Sequence, residues 1–347
     1  MRRGGAHHPL VELTLARVRE FFREPEAIFW AFVFPLVLTL ALAAAFPSAA
    51  DRPVVVGLVP GTQTPATRLA LDAAPALRVV DLTPADERRA LRDGTVHIVV
   101  VANDPPTYRY DPAQDESHRA RLAVDDALKR AGGRVDPWSA AEERVAVPGS
   151  RYVDWLIPGL IGMGIMTNGL WAVAFPIVNA RLLKLLKRMM ASPMQRWEYL
   201  LAQVLARLIF LAPEATLPLA FGSLALGMPI AGSYGVIALV VLTGALSFGA
   251  MGLLLGSRAR TIEAVSGLVN VFQLPMWLLS GVFFSSANFP TALQPAIHAL
   301  PLTALNDALR AVILDGAGAG TVWRELALLS TWGAVSFVLA LRLFRWR

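Results

Sequence analysis

Long apolar runs alternate with short charged intervals along most of the chain, and the spacing predicts six membrane-crossing helices. The runs are Ile28 to Phe46, Val153 to Val178, Tyr199 to Pro229, Ser233 to Leu255, Ala264 to Phe284 and Val322 to Phe344. At about 1.5 Å per residue, each can cover a hydrocarbon core of roughly 30 Å. Ahead of the first, residues 10 to 24 repeat Val11, Leu15, Val18 and Phe22 at helical spacing opposite Glu12, Arg19 and Arg23. That pattern predicts an amphipathic helix lying along the membrane. The apolar stretch near Leu293 to Leu305 is interrupted by Pro295 and Pro301 and follows Pro290. It is too short to cross, so residues 285 to 312 read as a re-entrant or interfacial segment before the last helix.

Between the first and second runs the pattern changes period. Pro53 to Val59, Leu77 to Leu82, Val96 to Val101 and Tyr108 to Asp111 read as strands. Thr64 to Ala73, Pro84 to Arg92 and Ala113 to Arg130 read as the helices between and after them. Alternating strands and helices over about a hundred residues predict a small α/β domain with its own core. The expected organisation is an amphipathic helix over 1–25, a first span over 26–47, the α/β domain over 48–151 and five further spans over 152–347.

Composition agrees with a polytopic α-helical membrane protein: 55% of residues are hydrophobic, 17% are charged and the mean hydropathy is +0.51. The net charge of +6 does not form a nucleic-acid surface. Residues 51 to 151 hold 14 Lys and Arg against 15 Asp and Glu, so the excess lies at the ends of apolar runs. Five Arg precede the first run, five Lys and Arg lie between Arg181 and Arg196, and Arg258 and Arg260 follow the fourth run. The opposite face carries only Arg310 between residues 285 and 320. The positive-inside rule then puts both termini in the cytoplasm and the α/β domain outside. Ser48 and Ala50 resemble a cleavage site, but the long approach and long apolar run favour a retained first span over a signal peptide.

The absence of cysteine excludes disulfides and thiol nucleophiles. The loop from Gly61 lacks the second glycine and the lysine of a phosphate-cradling loop, so ATP, if used, is bound by another chain. The five histidines show no metal-ligand spacing, and His298 with Asp307 is a weak acid–base pairing on an interfacial segment. Polar residues within the runs are more informative, because hydrocarbon penalises them. Glu214 either faces a cavity or satisfies backbone groups freed by Pro213 and Pro218. Asn168, Asn270 and Gln273 either line a path or bond between helices, and Trp155, Trp171 and Trp277 serve as anchors, packing groups or path lining. The glycines of the second run suit close helix packing at least as well as a hinge.

One polar segment stands apart. Arg181 to Tyr199, RLLKLLKRMMASPMQRWEY, places Arg181, Lys184, Lys187 and Arg188 opposite Leu182, Leu185, Leu186, Met189 and Met190, and Pro193 ends the helix. It reads as a short amphipathic helix at the membrane surface, where a partner could grip it.

Several stretches together resemble the ABC-2 type exporter permeases, of the multidrug or daunorubicin-resistance kind. They are Tyr152-Val-Asp-Trp-Leu-Ile-Pro158-Gly159, Lys187-Arg-Met-Met-Ala-Ser-Pro193 with Trp197-Glu-Tyr-Leu, Leu279-Ser-Gly-Val-Phe-Phe284, and Leu300-Pro-Leu-Thr303 with Ala308-Leu-Arg310. The resemblance covers nearly the whole chain. It implies a transmembrane subunit in a bacterial plasma membrane, paired with a second permease subunit and with separate ABC ATPase subunits that carry ATP and Mg.

The same resemblance implies an ATPase-coupling helix over 181–198, with Lys184, Lys187, Arg188, Met189, Met190 and Pro193 as docking residues and Arg258 and Arg260 beside them. It makes Asn168, Trp171, Asn270 and Gln273, on the second and fifth runs, candidates for a substrate path, to which Glu214 is added by its polarity within the third run, with Phe289 to Arg310 as the outer re-entrant hairpin. No catalytic residue and no cofactor is expected in this chain. Many relatives carry an acid and a glycine before the coupling helix, whereas Val178 to Arg188 has neither. The expected function is ATP-driven export of an amphipathic, lipid-like or drug-like molecule. The competing reading is an envelope-remodelling complex or an intramembrane enzyme.

Overall fold

A computed structural model describes residues 9–23, 25–45, 53–112, 114–135, 149, 151–183 and 196–343. The chain divides into two compact units, Pro47–Val145 and the remainder.

The smaller unit is built on β1 (Val54–Val59), β2 (Leu77–Asp81), β3 (Ile98–Val101) and β4 (Thr107–Arg109). The sheet order is β2-β1-β3-β4, with β1 parallel to β2 and β3, and β4 antiparallel to β3. Side chains alternate between faces, as the pleat requires. Val56, Leu58, Ile98 and Val100 meet Leu71 of α4 (Thr64–Asp72) and Ala120 and Val124 of α6 (Asp115–Ala131). On the other side, Val59 and Val99 meet Ala90 of α5 (Glu87–Arg92). The carboxylates are mostly paired at the surface. The Arg68 guanidinium holds Asp81 below the usual carboxylate range, Lys129 does the same for Asp125, and Arg134 for Asp126.

The larger unit opens with α1 (Pro9–Phe22) and α2 (Pro25–Ile28). A π-helical turn, Phe29–Val33, joins α2 to α3 (Phe34–Ala45), and the Phe34 amide donates to Phe29 O, five residues back. Five longer helices follow: α7 (Tyr152–Leu182), α8 (Arg196–Ala225), α9 (Tyr234–Arg258), α10 (Ile262–Leu279) and α13 (Trp323–Leu343). These five are long and apolar enough to cross a membrane, while the apolar helix Phe29–Ala45 is shorter. The protein is therefore a polytopic helical membrane protein. Between α10 and α13 lie 3-10 turns at Ser286–Asn288 and Thr291–Leu293, then α11 (Gln294–His298) and α12 (Pro301–Ile313).

Helix α7 is the central element, contacting α3, α8, α9, α10 and α12. Its core neighbours are apolar, including Ile157, Ile165, Met166 and Leu170 of α7 with Phe248 of α9, all buried. Close approach to α9 rests on small residues. A Cβ at Gly252 would lie 2.7 Å from Gly169 O and 2.8 Å from Leu170 O, and one at Gly256 would lie 3.0 Å from Ala174 Cα. Such backbone-to-backbone packing gives dispersion contact without a hydrophobic driving force from water.

The ends are capped by specific groups. Ser233 Oγ accepts from the Gly235 amide at the start of α9, and Thr261 Oγ1 accepts from the Ala264 amide at the start of α10. Arg151 bonds Asp154 in the first turn of α7 at 2.8 Å and donates to Leu226 O and Gly227 O at 3.0 Å. It thereby satisfies carbonyls beyond the C-terminus of α8, where Gly227 turns the chain with φ +64.

Candidate functional site

The polar residues near the middle of the long helices form a layer centred on α7. Asn168 and Trp171 are three residues apart, so they project from adjoining parts of one helical face. Asn168 Nδ2 donates to Glu214 Oε1 of α8 at 2.8 Å. Trp171 Nε1 donates to Gln273 Oε1 of α10 at 3.1 Å. Through these two bonds α7 is tied to α8 on one side and α10 on the other.

Glu214 has a second partner on its own helix. Arg207 Nη1 donates to Glu214 Oε2 at 2.6 Å, and Arg207 Nη2 reaches Ile165 O at 3.4 Å. Glu214 is 4% exposed and the Arg207 side chain 12%, so the pair is largely withdrawn from solvent. Its two charges cancel, and the carboxylate's remaining acceptor capacity goes to Asn168. Of the two readings, a cavity-facing acid or a cap for backbone freed by Pro213 and Pro218, neither names these partners: Glu214 bonds the side chains of Asn168 and Arg207. Gly164 contributes space, because a Cβ there would come within 3.3 Å of Glu214 Oε1.

Arg207 was missing from the sequence-derived set. Its spacing from Glu214, seven residues or two helical turns, is the signal that could have found it. Among the other candidates, Gln273 is buried and Trp171 and Asn168 are half-buried, whereas Asn270 lies exposed on α10. His298 is exposed and makes no ion pair with Asp307, whose carboxylate instead lies 3.9 Å from Arg310 Nη1. Lys184, Lys187, Arg188, Met189, Met190 and Pro193 lie outside the described residues. The neighbouring candidates Arg258 and Arg260 are exposed. Between them, Ala259 O accepts from Arg181 Nη1 at 2.8 Å, which sets the C-terminal end of α7 beside the turn from α9 to α10. Nothing in the layer combines a nucleophile with a base; it consists of an ion pair, two amides and an indole.

Comparison with known proteins decides the family. The model of the ABC-2 family transporter proteins matches residues 25–342. The chain belongs to the ABC-2 transporter family. Members are membrane components of transporters, and this ABC-2 chain is 29% identical over 180 residues to "Probable multidrug ABC transporter permease YbhR" of Escherichia coli K12. That match covers 52% of this chain and 49% of the relative. It is 30% identical over 120 residues to "Inner membrane transport permease YhhJ" of the same strain, covering 35% and 32% of the two chains. It is 28% identical over 204 residues to "Inner membrane transport permease YadH", covering 57% of this chain and 75% of that one. The ABC-2 chain thus spans about half the length of the first curated relatives it matches.

Proposed function

We propose that this chain is the transmembrane permease subunit of an ATP-driven exporter that moves an amphipathic, lipid-like or drug-like molecule across a bacterial plasma membrane. The observation that carries the reading is the family match over residues 25–342. ATP and Mg belong to separate ABC ATPase subunits, and a second permease copy or a related chain completes the membrane part.

In this reading six helices cross the membrane, the first formed by α2, the π turn and α3. The α/β unit lies outside, residues 285–312 form the re-entrant segment, and both termini are cytoplasmic. The coupling helix is 181–198. The bond from Arg181 to Ala259 O supports it, because the start of that segment then lies at the same end of the bundle as Arg258 and Arg260. Asn168, Trp171, Asn270 and Gln273 flank the path on α7 and α10, and Glu214 acts on it through its pair with Arg207.

The test is transport into inside-out vesicles containing the chain and its ATPase, with a fluorescent amphipathic probe. Accumulation should require ATP and disappear when the ATPase's phosphate-loop lysine is replaced. Movement by the permease chain alone at the same rate contradicts the proposal.

A further inference from the structure

At the end of α7 opposite Arg181, a second polar cluster lies outside the layer described above. Asn306 and Arg310, one turn apart on α12, both engage the turn that follows α10. Asn306 Nδ2 donates to Ser280 O at 2.9 Å, and Arg310 Nη2 donates to Gly281 O. Arg310 Nε and Nη2 also reach Trp155 O of α7 at 3.3 and 3.2 Å. Its guanidinium carbon lies 3.5 Å from the centroid of the Trp155 ring, within cation–π range. Asn306 is fully buried and Arg310 is 6% exposed.

Glycine makes the room. A Cβ at Gly159 would lie 2.7 Å from Val282 O and 3.0 Å from Arg310 Nη2, and one at Gly162 would overlap Asn306 Oδ1. Gly281 turns with φ +69, a conformation that suits glycine and aims its carbonyl at Arg310. Two carbonyls of the turn that follows α10 are therefore satisfied by side chains of another helix.

The surrounding groups are sealed but not satisfied. Asn306 Oδ1, Ser280 Oγ and Thr303 Oγ1 are shielded from water and make no hydrogen bond, and Arg310 Nη1 has only the Asp307 carboxylate, 3.9 Å away. A buried polar atom without a partner favours any conformation that hydrates it. Strong directional contacts thus hold closed an interface whose other polar atoms favour opening.

We propose that Asn306 and Arg310 are positioning residues forming a releasable latch, which holds the turn at 280–282 and the start of α7 against α12 and on release wets the cluster around Ser280 and Thr303. The latch is a property of this chain; only its trigger, turnover by a bound ATPase, rests on the transport reading. Gly159 and Gly162 are the notches that let it close.

The absence of cysteine permits a clean test. Ser280→Cys and Thr303→Cys report on the cluster, and Ser247→Cys, buried on α9, is the control. Each is exposed to a membrane-impermeant maleimide in the full chain held in lipid nanodiscs. Adding Arg310→Met, or separately Gly162→Ala, should raise labelling at Ser280→Cys and Thr303→Cys about tenfold or more, leaving Ser247→Cys unchanged. Gly162→Ala opens the latch without removing a polar group, so agreement between the two variants supports the mechanism. Unchanged reporter labelling in both variants overturns the latch, and so does an equal rise at Ser247→Cys, which signals general loosening. With the ATPase bound, ATP should raise labelling of Ser280→Cys and Thr303→Cys in the chains that keep Arg310 and Gly162. If ATP has no effect there while both variants open the site, the latch stands and the transport reading loses its support.

Discussion

Arg207 Nη1 lies 2.6 Å from Glu214 Oε2, two turns away on the same helix. An arginine in a membrane helix ordinarily extends toward the headgroups. Here it turns inward along α8 to meet the acid, and Asn168 of α7 completes the carboxylate's shell. Replacing Glu214 with Gln leaves the guanidinium buried without a counter-charge. Unfolding in detergent should then show a loss of about 3 kcal/mol. Arg207→Leu with Glu214→Gln should recover much of that loss, because it removes the unpaired charge. Equal stability for the parent and Glu214→Gln would assign the acid to a solvated path instead.

Removal of the indole's acceptor gives a smaller effect. Gln273→Leu leaves Trp171 Nε1 without its partner on α10. The expected cost is about 1 kcal/mol, in line with interhelical hydrogen bonds in membranes. A double-mutant cycle with Trp171→Phe, read by thermal unfolding in detergent, should show coupling between the two positions. Strict additivity would mean that the bond contributes nothing.

The α7–α9 seam predicts a graded response to size. Gly252→Ala inserts a methyl group against Gly169 O and Leu170 O and should lower stability by about 1–3 kcal/mol. Gly267→Ala is the comparison, since a Cβ there meets nothing within 4 Å. It should leave stability unchanged or raise it slightly. The two variants are compared by the temperature of half-aggregation in one detergent.

Acid should loosen the α/β unit. Asp81, Asp125 and Asp126 are held below their ordinary range by hydrogen bonds from Arg68, Lys129 and Arg134. Their contribution is present above the unfolded carboxylate range and is lost as pH falls through the lowered folded values. Asp81 is exposed and Asp125 and Asp126 are half-exposed at the surface, so each effect is small and salt-sensitive. Amide exchange over residues 53–135, corrected for intrinsic rates, should accelerate below about pH 4. Arg68→Ala should diminish the part of that change carried by Asp81.

Much of the fold was legible because period and length carry it. The strand at 54–59, the helix at 64–72 and the five long helices follow from alternating or continuous apolar positions. The π turn at Phe29–Val33 was not legible, since an extra residue in a helical turn leaves the apolar pattern intact. The site was only half readable. Asn168, Trp171, Glu214 and Gln273 stood out as polar residues in apolar runs, yet their pairing crosses 46 and 102 positions of sequence. Local spacing cannot specify such contacts. Arg310 is the lone Lys or Arg of 285–320 in the sequence, whereas packing against Trp155 and Gly281 buries it.

The central claim is that this chain is worked by a separate ATPase through residues 181–198, and purification from native membranes tests it most directly. The tagged chain should bring down an ABC ATPase in stoichiometric amount. Arg188→Glu with Met189→Glu should lose that partner while retaining the parent's thermal stability. Recovery of the parent chain without any ATPase, or full retention of the ATPase by the double variant, would contradict the account.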